Sequence, residues 1–473
     1  MRFRPFFAIA FGLLLWPVAA LHAQVQDPPS AAEPAQDEPA QEAPAQEEPA
    51  QQEPAQEAPE IAASDDPDAA ETATSKVPLD EIRRYVAVYN AVKQAYVEPV
   101  DDSKLMHSAV RGLLSDLDPH SVYFDKDDAK EFDEATSGAY DGIGVELQQL
   151  PDRTFRVVSP IDDTPAARAG LKSGDLIVAI DGKPIDDDGK SSPLRGKPGS
   201  KVTLKIVRAG VVKPFDVTVT REKIRVASVR SRMLEPGYGY LRVSTFQADT
   251  AADFVRQLDK LKAESGGKLR GAVLDLRSNP GGLLTAAVQI ADELLDSGKI
   301  VSTRGRIAIS DAEFSATPGD RLNGAPVVVL VDAGSASASE VLAGALRDNG
   351  RARVVGSRTF GKGSVQTVLP LDNGDSVKLT TARYYTPSGK SIQGVGIVPE
   401  IVLHPQKKKG DVETDDDAAG YTEAALPGHL RGDDEGKEGV SAGEVLDGDA
   451  PIAAALVELK KPVAAAPKPA GKG

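Results

Sequence analysis

The stretch Pro326-Val-Val-Val-Leu-Val-Asp-Ala-Gly-Ser-Ala-Ser-Ala-Ser-Glu340 passes from an unbroken apolar run, through a glycine-containing turn, into the start of a helix. Pro326–Val331 has the composition of a strand covered on both faces, and helical spacing then runs from Ser337 to Arg347. The same unit stands upstream, where the strand Arg270–Leu276 meets the turn Arg277-Ser-Asn-Pro-Gly-Gly282 and a helix over Leu283–Ser297 closed by Gly298. Downstream, Arg353–Gly356 leads into the loop Ser357–Gly363. A hairpin follows, turning at Asp372-Asn-Gly-Asp375 between Ser364–Leu371 and Ser376–Tyr385. Repeated strand–turn–helix units over residues 224–404 imply an α/β core with its functional groups at the strand ends.

Those turns carry the residues with chemical potential. A serine at a strand-to-helix turn presents its hydroxyl beside free backbone N–H donors. Ser337 with Glu340 three residues on also reads as a capping box, but three serines spaced by alanine exceed what one cap needs. In Thr359-Phe-Gly-Lys-Gly-Ser-Val-Gln366 a lysine lies between two glycines. It reads as a solvated surface lysine or as a functional one. A phosphate-binding loop is disfavoured, because Ser357 stands where the first glycine of that motif belongs. The turn Ser278-Asn-Pro-Gly-Gly282 is either a plain turn or a lining of backbone N–H groups.

The five histidines are His22, His107, His120, His404 and His429, so residues 121–403 contain none. A Ser-His-Asp hydrolase would have to recruit His120 or His404 from outside, and neither sits in a promising setting. A lysine serves instead if burial lowers its pKa by several units from ~10.4. Gln366 would hydrogen-bond a neutral amine without recharging it, as a carboxylate would. The chain has no cysteine, which excludes disulfides, thiolate metal sites and a thiol nucleophile. This chemistry needs no metal and no organic cofactor.

From Gly138 to Arg221 the texture changes to short β-rich runs punctuated by glycine: Gly144–Gln149, Phe155–Val158, Leu176–Ile180, Val202–Arg208 and Phe215–Thr220. The segment from Ser159 through Thr164-Pro-Ala-Ala-Arg-Ala-Gly170 to Asp181-Gly182 resembles the centre of a PDZ domain. Gly142-Ile143-Gly144-Val145 matches that family's carboxylate-binding loop. Glycines there let backbone N–H groups converge on a peptide's terminal carboxylate, and the peptide adds as a strand to the sheet edge.

Gly334-Ser-Ala-Ser-Ala-Ser-Glu340 and Phe360-Gly-Lys-Gly-Ser-Val-Gln366, with the PDZ segment, resemble the carboxy-terminal processing proteases, exported Ser–Lys peptidases with an embedded PDZ domain. The resemblance covers residues 78–405 and continues more faintly into the helix-like Pro451–Lys461. It implies an α/β (α+β) multidomain fold, with a strand–helix catalytic core of ClpP/crotonase type, an inserted β-rich PDZ domain and N-terminal helices. By this resemblance Ser337 is the nucleophile, Lys362 the general base and Gln366 the residue that orients the lysine. The oxyanion hole falls on the N–H of Ala338 and of Gly281 or Gly282. Arg195, in Leu194-Arg-Gly-Lys-Pro-Gly199, reads either as a solvated arginine or as a gate between the PDZ and peptidase domains. Two rival readings are a PDZ scaffold that does not cleave and a hydrolase acting on a small acyl substrate.

The expected boundaries are a signal peptide over 1–23, an acidic spacer over 24–77, a helical region over 78–127, the PDZ domain over 128–223, the peptidase domain over 224–405 and a charged extension over 406–473. Arg2 and Arg4 precede the apolar run Phe6–Leu21, which is followed by Ala23: a basic start, a stretch too short to span a bilayer and a small-residue cleavage site. Residues 24–76 carry fourteen acids against Lys76 alone, in repeats such as Glu48-Pro-Ala-Gln-Gln-Glu-Pro-Ala-Gln56, which lack the apolar surface to fold. The net charge of −16 would argue against nucleic acid if it were spread evenly, but it belongs to the ends, since residues 77–405 balance; no nucleic-acid partner is expected. The expected partners are protein or peptide substrates with exposed C-termini, a second copy meeting the apolar faces of residues 79–117, and an adaptor. The expected location is the periplasm or cell envelope, membrane-associated or free, with no membrane span after cleavage.

Overall fold

A computed structural model of the chain describes residues 12–13 (backbone only), 78–150, 154–185, 194–307, 310–405, 422–436 and 443–462. Apart from Gly12–Leu13, the expected signal peptide and acidic spacer lie outside the described residues, as do 406–421, 437–442 and 463–473.

The peptidase core rests on one sheet whose strands run in the order Val229–Glu235, Tyr238–Val243, Gly271–Asp275, Val327–Val331, Ala352–Gly356, Ile401–Val402. The first two form an antiparallel hairpin and all later pairings are parallel. The apolar run Val327–Val331 is buried throughout because both faces of this sheet are covered. Val327, Val329 and Val331 join a core built with the helices Thr250–Glu264, Leu284–Leu294 and Ala338–Asp348. Val328 and Leu330 point the other way, against Ile452, Ala455 and Leu459 of the helix Ala450–Leu459. That helix is therefore part of the core. The segments 422–436 and 443–448 are likewise attached, with Glu423 N–H donating to Phe360 O at 2.9 Å and Arg277 Nη1 to Leu446 O at 2.7 Å. Part of the stretch expected as a charged extension, with its helix-like Pro451–Lys461, thus backs the peptidase core.

A second sheet carries the hairpin Ser364–Pro370 and Ser376–Tyr385, with Lys299–Gly305 and Ala312–Ser315 continuing from it. Val122–Phe124 also pairs with Ser376–Tyr385, so the chain preceding the PDZ domain contributes a strand to the peptidase. On the other side, Gly12–Leu13 pairs in parallel with both Gly282–Leu283 and Gln366, spanning a gap one strand wide.

The N-terminal helices are Leu79–Ala95, Asp102–Ser115 and Lys126–Ser137. Caps set the ends that apolar spacing left loose: Asp101 accepts from Ser103 N–H, Asp125 from Asp127 and Asp128 N–H, and Gly138 closes the third helix at φ 72°. Leu79–Ala95 buries no residue, and Leu79, Ile82, Val86, Val88, Met106 and Leu113 stay exposed, so no other described residues cover those faces. The PDZ sheet runs Val145–Gln149, Phe155–Pro160, Leu176–Ile180, Lys201–Val207, Phe215–Thr220, around a separate core that includes Ile143, Val157, Ile177 and Leu204. One of its two edge strands is Val145–Gln149, directly after the Gly142–Val145 loop. The pair Ala139–Gly142 and Glu222–Arg225, unforeseen from the sequence, lies where this unit leaves and re-enters the chain.

If the C-terminal helix is integral, Ala455→Asp, which buries an unpaired carboxylate at a fully buried position, should destabilise the protein by ~3 kcal/mol or more. Val457→Asp, on the exposed face of the same helix, should leave the melting temperature nearly unchanged. Thermal melts of both variants check this.

Candidate functional site

Three loops that leave the carboxyl ends of neighbouring parallel strands converge: 276–282 after Gly271–Asp275, 332–337 after Val327–Val331, and 357–363 after Ala352–Gly356. This is where an open α/β sheet places its ligands. Asp332 ties the first two together, accepting from Ser278 N–H at 2.7 Å and Gly334 N–H at 2.9 Å. Gly334 lies so close to Ser278 that a Cβ there would stand 2.7 Å from its Cα.

The three serines of the 334–340 turn separate by their hydrogen bonds. Ser335 Oγ donates to Leu276 O at 2.8 Å and Ser339 Oγ to Asn279 O at 2.9 Å, so both hydroxyls brace neighbouring loops. Ser337 Oγ is buried without a partner. Its backbone sits at φ 56°, ψ −114°, a strained conformation for a residue with a side chain, at the sharp turn where the helix Ala338–Asp348 begins. The glutamate of the capping box supports the turn, with Ser337 N–H donating to Glu340 Oε2 at 2.7 Å. The serine hydroxyl is left over.

Glu340 does more than cap. Fully buried, it also accepts from Thr359 Oγ1 at 2.5 Å, Gly361 N–H at 2.7 Å and Lys362 N–H at 2.9 Å. Ser337 and Lys362 thus hang from the same carboxylate oxygen by their backbones. Burial pushes the Glu340 carboxyl up to about 7, against the pull of these four donors. Lys362 is 1% exposed, so its flanking glycines admit close packing and not a solvated tip. Burial is the main cause that lowers its ammonium to about 7, with the nearby charge of Lys378 acting the same way and Glu423, Asp118 and Glu340 opposing. Lys378 is itself lowered to about 8 by burial and lies 5.3 Å from the ring centre of Phe124 and 5.9 Å from that of Phe132. Gln366 follows four residues after Lys362, fully buried, its Nε2 donating to Ser364 Oγ at 3.0 Å and Thr380 Oγ1 at 3.2 Å.

Across the cleft, Gly281 packs against the serine turn: a Cβ on it would stand 2.9 Å from Ser337 Cβ and 3.1 Å from Ala338 N. Its N–H is committed to Asn279 Oδ1 at 2.9 Å. Gly282 follows at φ 132°, packed on the Phe246 backbone. Ser337, Ala338, Gly281, Gly282, Lys362 and Gln366 therefore converge on one site. Gly142, Ile143, Gly144 and Val145 line a different one, a pocket of ≈ 260 Å³ closed by Tyr140, Leu147, Leu194 and Arg195. Arg195 pairs with Glu134 and stands 5.5 Å from the ring centre of Tyr140. Its partners thus come from the helix Lys126–Ser137 and the strand Ala139–Gly142.

Several residues here carried no signal in the sequence. Tyr384 is fully buried with its hydroxyl beside that of Ser337, outside regular hydrogen-bond geometry; burial holds its phenol far above the usual range, and the contact with Ser337 acts in the opposite sense. His120, set aside as unpromising, folds back: its Nε2 lies 2.9 Å from Glu423, which accepts from Gln393 Nε2 at 2.9 Å. Gln393 Oε1 accepts from Gly363 N–H at 2.9 Å, so His120 braces the lysine loop from two residues away and does not meet the serine.

Comparison with known proteins matches three stretches. Residues 43–128 fit the activating protease CtpB N-terminal domain, 142–219 a PDZ domain and 237–403 peptidase family S41. A carboxy-terminal-processing protease of Bartonella bacilliformis is 43% identical over 366 residues, spanning 76% of this chain and 82% of the relative. The chain belongs to the carboxy-terminal processing proteases. The carboxy-terminal processing protease CtpB of Bacillus subtilis is 36% identical over 333 residues, 69% of this chain and 68% of that one. Among solved structures, a photosystem II D1 C-terminal processing protease is similar over 67% of this chain and 86% of its own, with 31% identity and a TM-score of 0.41. As a member of this family, the chain is a serine-type peptidase with a PDZ domain, and the expected α/β peptidase core with a β-rich PDZ unit stands.

The depressed Lys362 has a signature in stability. Unfolded, the amine titrates near its ordinary 10.5 and, folded, near 7, so the folded state binds fewer protons between those values. The cost of burying this lysine is greatest below pH 7 and falls by about 1.4 kcal/mol per pH unit towards 10.5. Lys362→Met should raise the melting temperature at pH 6, with the gain shrinking steadily by pH 9, measured by calorimetry.

Proposed function

We propose that this protease is an exported endopeptidase that captures apolar C-termini in its PDZ groove and cleaves envelope proteins through an acyl-enzyme on Ser337. The observation that carries the reading is the unpartnered Ser337 hydroxyl, on a strained elbow that Glu340 ties to a buried lysine. Neutral Lys362 takes the Ser337 proton as Oγ attacks the scissile carbonyl. Collapse of the tetrahedral intermediate expels the amine, which leaves with that proton, and water then releases the acyl group by the reverse path. The N–H groups of Ala338 and Gly282 are the proposed oxyanion donors, because that of Gly281 is engaged by Asn279. Gly281 lets the donors approach the serine. One such donor is worth ~3–4 kcal/mol in the transition state.

A peptide would cross the site in the strand-wide gap between Gly282–Leu283 and Gln366, the place where Gly12–Leu13 pairs with both. Among the described residues Val145–Gln149 is an end strand of the PDZ sheet, suited to strand addition, with the Gly142–Val145 loop at its head and Arg195 lining the pocket. A carboxylate arriving there would compete with Glu134 for Arg195, which suits a gate. Export rests on the basic, apolar and small-residue order of residues 1–23. Among the described residues no helix is long and apolar enough to cross a membrane. The exposed apolar faces of the first two helices favour a second copy as their cover.

Ser337→Ala, Lys362→Ala and Lys362→Arg should each lower cleavage of an unfolded protein by at least ~10³-fold with the fold intact, since arginine keeps its proton. Ser335→Ala and Ser339→Ala should stay active. In the wild type, kcat/KM should rise about tenfold per pH unit up to about 7 and then level off as Lys362 becomes neutral. Full activity in Ser337→Ala would overturn the mechanism. For the PDZ reading, amidating the C-terminus of an apolar peptide should weaken binding about tenfold by calorimetric titration, as should Arg195→Ala; equal binding of acid and amide would remove carboxylate capture.

A further inference from the structure

Gln366 is anchored by a chain of hydrogen bonds that leaves the peptidase core. Thr380 lies directly opposite it in the hairpin, at a bulge between Val365 and Gln366, and its Oγ1 accepts from Gln366 Nε2 at 3.2 Å. Thr380 Oγ1 in turn donates to Asp118 Oδ1 at 3.1 Å. Asp118 is buried and opens the turn Asp118-Pro-His-Ser121 at the end of the N-terminal helical region. Its other oxygen accepts from Ser121 Oγ at 2.7 Å, and Ser121 Oγ accepts Thr380 N–H at 3.2 Å.

The chemistry gives this chain a direction. An ionised carboxylate only accepts, so the Thr380 proton goes to Asp118 and the threonine lone pairs face the glutamine. Gln366 must then turn its NH2 group towards Thr380 and Ser364, which sends Oε1 the other way. There Oε1 is buried without a hydrogen-bond partner. A buried acceptor left open in this way calls for an occupant.

We propose that Asp118 is a positioning residue for the Ser–Lys reaction, acting through Thr380 to set the polarity of the Gln366 amide so that its oxygen faces the Lys362 amine. The inference rests on Ser337 and Lys362 being the reacting pair. Polarity matters because a neutral amine has two N–H donors and one lone pair. An amide oxygen takes an N–H and leaves the lone pair for the serine proton. An amide NH2 in its place would take the lone pair itself and block the base. The same turn also steadies the far side of the lysine loop, since His120 reaches Gly363 through Glu423 and Gln393. The segment ahead of the PDZ domain thus completes the peptidase site.

The test uses the full chain and a chromogenic peptide. Thr380→Val keeps the shape and the Asp118 charge but breaks the chain, whereas Thr380→Ser keeps it. Asp118→Asn offers an NH2 that reverses the threonine. Thr380→Val and Asp118→Asn should each lower kcat about tenfold or more with KM within about twofold, the loss expected for one misdirected hydrogen bond. Thr380→Ser should recover most of the rate, and the double variant Asp118→Asn/Thr380→Val should be no slower than the worse single one. Melting temperatures identify any variant that has lost its fold, and Thr380→Ser against wild type keeps the comparison open in that case. A Thr380→Val enzyme with wild-type kcat, a loss confined to KM, or a Thr380→Ser enzyme as slow as Thr380→Val would overturn the relay. Ser337→Ala run alongside separates the two readings: if it is inactive while Thr380→Val is not, only the relay falls, and if it is active the Ser–Lys pair falls first.

Discussion

Four donors from two loops end on one buried carboxylate, that of Glu340: the N–H groups of Ser337, Gly361 and Lys362 and the hydroxyl of Thr359. The strained elbow at Ser337 persists because this contact over-determines it. The loop after Ala352–Gly356 has no regular structure of its own, and the same carboxylate fixes its lysine end. Desolvation raises the Glu340 carboxyl, and its four donors pull the other way. The proposed nucleophile and base are therefore held together by a third residue, which needs no place in the reaction.

Burial is the second organising constraint. The proposed base must be neutral at working pH, and only removal from water moves a lysine that far. The chain brings distant segments to that task. The helix Ala450–Leu459 covers the outer face of the parallel sheet, residues 422–436 lie over the lysine loop, and Val122–Phe124 adds a strand beside the hairpin. Lys378, a second buried lysine flanked by two aromatic rings, adds a like charge that favours the neutral amine at Lys362.

Much of this was legible in the residues. The apolar runs around Val327–Val331 and Gly271–Asp275, the Asp372–Asp375 turn and the glycine-punctuated PDZ strands follow local rules of periodicity and turn chemistry, and they appear where those rules put them. Element ends are decided by caps, as at Asp101 and Gly138, and apolar spacing does not mark them. The hidden part was non-local. Asp118, His120, Thr380, Gln393 and Glu423 are ordinary polar residues in their own neighbourhoods. They matter through partners as distant in sequence as the 303 residues between His120 and Glu423.

The sequence by itself determined the parts: an elbow serine, a lysine between glycines, a glycine turn, a glycine-flanked PDZ loop and the alternation that makes an α/β sheet. Each is a property of a few adjacent residues. Tertiary structure alone decided which of three serines keeps a free hydroxyl, because Ser335 and Ser339 lose theirs to carbonyls of another loop. It also decided that Lys362 is buried, that Glu340 brackets it to Ser337, and that the segment before the PDZ domain reaches Gln366. Hydrogen-bond satisfaction and desolvation depend on what lies across the fold, and no local pattern records that.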